Sequence, residues 1–149
     1  MTANRKITIL GSTGSIGEST LDVVNRHPDR FQVFALTANK NVTKMLSQCQ
    51  RFQPRYAVML NSESAEQLSK AIQAANINTE VLSGIESLEK VASHPEVDAV
   101  MAAIVGAAGI RPTFAAARTG KLVLLANKET LVMAGRIFMD LVKQHNATL

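Results

Sequence analysis

A chain of 149 residues with 46% apolar and 19% charged residues is sized and composed for one globular domain with a two-faced core, which argues against disorder. Its net charge of +4 is spread along the chain, with one Tyr and no Trp to stack bases, so nucleic-acid binding is not expected. No apolar run reaches membrane-spanning length and Met1-Thr-Ala-Asn-Arg-Lys6 lacks the hydrophobic segment of an export signal, so a cytoplasmic protein with no membrane partner is expected.

The chain opens on a short β-branched run, Lys6-Ile-Thr-Ile-Leu10, that breaks at once into Gly11-Ser-Thr-Gly-Ser-Ile-Gly17. Three glycines spaced three apart between a strand and a helix start make a phosphate cradle. Gly11 permits the sharp exit and Gly14 lets backbone N–H groups approach a diphosphate. Gly17 lets the helix pack closely, and the helix N-terminus adds partial positive charge. Ser12, Thr13 and Ser15 supply hydroxyls. The first helix is expected over residues 15–26, with Ile16, Thr20, Val23 and Val24 inward, ending at His27-Pro28.

A second strand, 31–37, leads to Thr37-Ala-Asn-Lys-Asn41. In NAD-binding folds an acidic residue about 20 residues past the glycines holds the ribose 2′-hydroxyl. Here Asn39, Lys40 and Asn41 stand instead, a cation and amides suited to a 2′-phosphate, which favours NADP over NAD. The alternative is that Asn41 merely caps the next helix and Lys40 is solvated. That helix, 42–53, carries the stripe Val42, Met45, Leu46, Cys49 and Phe52, so the lone cysteine reads as a buried small hydrophobe.

Strand 55–60 follows, then an amphipathic helix capped by Ser62 with Ala65, Leu68, Ile72 and Ala75 inward. Glu80-Val-Leu-Ser83 is a half-polar strand suited to a sheet edge. A fourth helix, on Ile85, Leu88, Val91 and Ala92, stops at His94-Pro95. The run Ala99-Val-Met-Ala-Ala-Ile-Val105 is the most buried-looking strand. Gly106-Ala-Ala-Gly109 is either a site of close approach by a ring or backbone, or an ordinary strand-to-helix turn. A helix over 112–119 ends at Gly120, and a buried strand over 121–126 exits through Asn127-Lys-Glu-Thr130. A last helix, 131–145, is expected to turn Leu131, Ile137, Phe138, Leu141 and Val142 inward, and 147–149 opens a further strand.

Strands alternating with helices define an α/β doubly wound parallel sheet of Rossmann-like type, helices on both faces, strand order 4-3-2-1-5-6. The switch-point crevice then lies between strands 1 and 5. A catalyst is not evident beside it. The only tyrosine, Tyr56, has Leu60 four residues on, which excludes the Tyr-x-x-x-Lys of short-chain dehydrogenases. The glycine loop lacks the lysine of nucleotide hydrolases. His27, His94 and His145 stand at helix ends, Glu86, Glu89 and Glu96 read as a helix exterior, and no grouping has metal-ligand spacing.

Gly11-Ser-Thr-Gly-Ser-Ile-Gly17, Ala38-Asn-Lys-Asn41, Met101-Ala-Ala-Ile-Val-Gly-Ala-Ala-Gly109 and Leu125-Ala-Asn-Lys-Glu129, in that order, closely resemble the 1-deoxy-D-xylulose 5-phosphate reductoisomerase family over essentially the whole chain. The resemblance implies an enzyme of non-mevalonate isoprenoid biosynthesis that rearranges and reduces its sugar phosphate to 2-C-methyl-D-erythritol 4-phosphate with NADPH and a divalent cation, magnesium or manganese. Carried over by motif, Thr13, Gly14, Ser15 and Ile16 hold the NADPH diphosphate region, and Asn39, Lys40 and Asn41 meet the adenosine phosphate. Asn39 departs from the glycine that many members carry. Asn127 and Glu129 approach the nicotinamide half, and Lys128 the substrate. The family's metal-binding carboxylates, substrate lid and helical domain lie beyond the position of Leu149. The expectation is therefore an NADPH-binding domain over 1–149 with no catalytic or metal residue of its own, no turnover alone, and a homodimeric full-length enzyme. The alternative is a catalytically silent NADP-sensing module.

Overall fold

The computed structural model describes residues 4–149, so the reading of Met1, Thr2 and Ala3 as an opening without an export segment lies outside the described residues. Strands β1 (Arg5–Leu10), β2 (Phe31–Ala38), β3 (Tyr56–Met59), β4 (Glu80–Ser83), β5 (Ala99–Ala102) and β6 (Leu122–Leu125) alternate with helices α1 (Ser15–Arg26), α2 (Val42–Phe52), α3 (Ser62–Ala74), α4 (Ile85–Ser93), α5 (Ile110–Arg118) and α6 (Lys128–Gln144). Every strand pairing is parallel and the order is β4-β3-β2-β1-β5-β6, as the pattern predicts. Half-polar β4 sits at the edge, where a short polar strand is least prone to pair with another chain. A parallel bridge between Leu122 and Thr148 begins a further strand beyond β6. No helix among the described residues is long and apolar enough to cross a membrane.

Alternation along the strands divides the core in two. Ile7, Ile9, Val33 and Leu36 pack with Leu21, Met45, Cys49, Leu68 and Ile72, on the face covered by α1, α2 and α3. Leu10, Phe34, Val58 and Val100 pack with Leu88, Val91, Ala116, Phe138 and Val142, on the face covered by α4, α5 and α6. Thr8, in the same alternation, is buried there and donates from Oγ1 to the Val91 carbonyl at 2.9 Å.

Helix details depart from the sequence reading in several places. α1 turns Gly17, Leu21 and Val24 inward, a clean i, i+4, i+7 stripe, and leaves Ile16 and Val23 about half exposed. The cap of α3 is Asn61, which accepts from Ser64 N at 2.9 Å, one residue before the predicted Ser62. β5 ends at Ala102, so residues 103–105 leave the sheet and Val105 is 88% exposed. A 3-10 turn, Ala107–Gly109, leads directly into α5, two residues before the predicted start. β6 is only partly buried, with Leu124 exposed.

The largest departure is α6. It starts at Lys128, three residues early, because Asn127 caps it, and it is kinked at Ala134 (φ −143°, ψ 25°) just before Gly135. A glycine at a kink removes the side chain that would otherwise favour a regular turn. The kink breaks the phase of the apolar stripe. Thr130, Phe138 and Val142 point inward, whereas Leu131, Val132, Met133 and Ile137 are exposed. Phe138→Ala is therefore expected to cost about 3–5 kcal/mol of stability, and Ile137→Ala to change it by less than about 0.5 kcal/mol. Urea unfolding of the two variants checks this, and equal losses would contradict the packing of α6.

Candidate functional site

The crevice at the carboxyl ends of β1 and β5 begins with how tightly the backbone packs there. Gly11 has φ +81°, and a Cβ on it would lie 2.7 Å from the Ala103 carbonyl oxygen. A Cβ on Gly17 would collide with the Gly11 carbonyl and the Ser12 backbone. Gly11 therefore sets the exit from β1, and Gly17 lets the first turn of α1 lie directly on that exit. Gly14 has an ordinary 3.7 Å clearance, so its role is to begin the helix and offer no side chain. As N-cap it provides no side-chain acceptor, and the first-turn N–H groups of α1 are left to meet an external acceptor.

Thr37, at the end of β2, fastens this loop from the other side. Its Oγ1 accepts from Gly11 N at 3.0 Å, and its carbonyl accepts from Ser12 N at 2.8 Å and Ser12 Oγ at 3.2 Å. This corrects the reading of Ser12 as a free hydroxyl donor, because it is fully buried and its hydroxyl is spent on Thr37. Thr13 stays half-buried and Gly14, Ser15 and Ile16 are exposed at the mouth.

The crevice measures about 260 Å³. Thr13, Gly14 and Asn39 reach it from the predicted set, with the apolar Leu60, Leu88, Ile104 and Val105 opposite. Asn39, Lys40 and Asn41 are exposed at the exit of β2. Asn41 caps α2 by accepting from Lys44 N at 3.1 Å, so its side-chain Oδ1 is committed to the helix. The first turn of α2 contains no acidic residue.

Asn127, Lys128 and Glu129 stand apart from the crevice lining, beyond the loop 103–109. Asn127 is 2% exposed; its Oδ1 accepts from Glu129 N at 2.9 Å and its Nδ2 donates to the Gly106 carbonyl at 3.4 Å. A Cβ on Gly109 would collide with Asn127 Nδ2, so the Gly109 position is explained by close approach of this side chain. Gly106 has φ +86° with open space around it, which is a turn requirement. Lys128 is exposed and Glu129 half-buried at the start of α6. Sequence reasoning missed Thr37, the apolar wall, and two residues of α2, Lys44 and Gln48, that touch the glycine loop from behind. Thr37 was visible only as the last residue of a strand, and the wall only as an apolar run.

Among the described residues no group of three or more His, Cys, Asp or Glu is placed to hold a metal ion. Cys49 is fully buried and desolvation pushes its thiol up to about 12. His94 packs against Phe34 and Tyr56 near the opposite end of the sheet, and its pKa is lowered chiefly by desolvation.

A doubly wound parallel sheet with an uncapped, glycine-led helix start at its switch point defines a Rossmann-like α/β domain, the class that takes up nucleotides at this crevice. The family model for 1-deoxy-D-xylulose 5-phosphate reductoisomerase matches residues 7–135, and the chain belongs to that family. The reductoisomerase of Nitrosomonas europaea is 73% identical over all 149 residues, which are 36% of its length. The crystal structure of a reductoisomerase with NADPH, fosmidomycin and magnesium superposes with a TM-score of 0.93 at 46% identity, covering 97% of this chain and 35% of that one. The Zymomonas mobilis enzyme in complex with NADPH gives 0.94 at 44% identity, covering 100% of this chain and 39% of that one. The chain thus spans little more than a third of the length of the relatives it matches.

A thiol confined in this way reacts only when the fold opens. In the native chain at pH 8 a disulfide-exchange reagent is expected to modify Cys49 roughly a hundred-fold or more slower than in denaturant. Comparable rates in the two conditions would overturn its placement.

Proposed function

We propose that this chain binds NADPH across the switch-point crevice and provides the cofactor domain, residues 1–149, of a reductoisomerase acting on 1-deoxy-D-xylulose 5-phosphate. The observation that carries the reading is the uncapped start of α1 at Gly14, beside an exit of β2 that bears Lys40 and no carboxylate in the following turn. Thr13, Gly14, Ser15 and Ile16 meet the diphosphate, where peptide N–H groups and the helix dipole favour a dianion. Asn39 and Lys40 meet the 2′-phosphate, with the Nδ2 of Asn41 as a further donor. When bound, the dihydronicotinamide supplies the hydride for the reduction. Asn127 holds the loop 103–109 in place and so shapes the nicotinamide end, with Glu129 beside it, while Lys128 reaches out toward the sugar phosphate.

The residues fit the group. The cradle excludes Cβ atoms at Gly11 and Gly17, the first-turn donors lack internal acceptors, and the crevice pairs a backbone-donor wall with an apolar one. The whole enzyme acts on a small sugar phosphate with a divalent cation in isoprenoid synthesis, in the cytoplasm and as a homodimer. Its rearrangement requires carboxylates for the cation beyond those described.

Titration of the chain with NADPH and NADH, followed by nucleotide fluorescence, tests the reading. NADPH is expected to bind more tightly, and Lys40→Ala to weaken it roughly ten-fold while leaving NADH unchanged. Equal affinity for both nucleotides, or binding of neither, would overturn it. The chain by itself is expected to show no NADPH oxidation with the sugar phosphate and magnesium, and steady turnover would contradict the division of labour.

A further inference from the structure

Helix α2 touches the glycine loop at two places that the cofactor reading does not use. Gln48 Nε2 donates to the Ser12 carbonyl at 2.9 Å, and Lys44 Nζ donates to the Thr13 carbonyl at 3.3 Å while also pairing with Glu18. The two residues are one helical turn apart, so they share the face of α2 that meets the loop. Gln48 is buried, and its Oε1 has no hydrogen-bond partner among the described residues. Turning the amide over would relieve nothing, since it would place oxygen against the Ser12 oxygen. A buried side chain that leaves one polar atom unpaired in order to hold a loop carbonyl is costly to keep for packing alone.

We infer that Gln48 and Lys44 are positioning residues that aim the diphosphate-binding N–H groups by holding the loop carbonyls from behind. The inference rests on the dinucleotide reading above. Across a trans peptide the carbonyl and the following N–H point in opposite directions. Anchoring Ser12 O to α2 therefore turns Thr13 N–H away from α2, on the side where Thr13 and Gly14 line the crevice. Anchoring Thr13 O likewise orients the peptide that carries Gly14 N–H, which donates to Gly11 O in a long 3.4 Å bond that an incoming anion can replace. Donors fixed before the anion arrives need no reordering when it binds.

The test separates aiming from folding. Gln48→Met keeps the volume and exchanges one orphaned acceptor, its own Oε1, for another, the Ser12 carbonyl, so the melting temperature is expected to stay within about 3 °C of the parent chain. NADPH and NADH affinities are expected to fall by the same factor, roughly five- to twenty-fold, because both nucleotides carry the same diphosphate. Lys40→Ala, by contrast, acts on NADPH alone. Unchanged affinity, a loss confined to NADPH, or a loss that only accompanies a large drop in melting temperature would overturn the positioning role. Should Gln48→Met fail to fold, the pair Lys44→Met and Lys44→Gln decides: the glutamine can still donate to Thr13 O and is expected to bind both nucleotides more tightly than the methionine. If the two bind alike, the inference falls. A parent chain that binds neither nucleotide overturns the dinucleotide reading itself, whereas a parent and a Gln48→Met chain that bind equally overturn only the inference.

Discussion

Everything at the carboxyl end of the sheet depends on one steric fact, the contact of Gly17 with the backbone of Gly11 and Ser12. Because a side chain at either glycine would strike a carbonyl, the end of β1, the start of α1 and the exit of β5 can approach to backbone distance only with the residues present. That approach places the free N–H groups of a helix start at the point where the strand order reverses. The hydrogen bonds from Gly11 and Ser12 to Thr37 then bring the exit of β2 alongside. The glycine loop with its uncapped helix start and the exit of β2 that bears Lys40 are thus neighbours because the polypeptide packs without Cβ atoms at two positions.

The topology was legible because it follows from counting. Two further strands after β2, one of them half-polar, had to fill one side of the sheet before the very apolar β5 returned beside β1. The orientation of individual helices was less legible. In α1 the inward phase is set by Gly17, which adds nothing to a hydrophobic stripe, so Ile16 and Val23 were assigned inward in place of Leu21. In α6 one unbroken period across Ala134 misplaces the inward face, because the two halves of the helix obey different phases. Apolar residues outside a core are common, so the presence of Leu131 and Ile137 in the pattern carried less information than their spacing implied.

The same division holds at the site. Residues whose roles are local, Gly11 and Gly17 above all, stand out in the sequence because their conformation and close packing are tied to a strand exit. Those whose roles depend on tertiary proximity do not. Gln48 lies 36 positions from the carbonyl it holds and Thr37 lies 25 from the hydroxyl it receives, and neither distance leaves a spacing signature. Ser12 was misassigned for a related reason. The inward phase of the strand carries one residue past its end, so Ser12 points inward to β2 while Thr13 is the first hydroxyl residue to line the crevice.

Helix α2 is consequently constrained along its length rather than simply packed. Just ahead of its first residue Asn41 caps it next to Lys40, one turn on Lys44 reaches the glycine loop, and a second turn on Gln48 holds Ser12 from behind. A rigid helix fixed at these points cannot shift toward solvent without drawing both the exit of β2 and the loop carbonyls with it. The spacing between the glycine loop and the exit of β2 is then set by one helix and the register of β1 on β2. The bulge in that register between Ile7 and Thr8 is part of the same adjustment. It advances β2 by one residue relative to β1, so that Thr37, and not its neighbour, meets the end of β1.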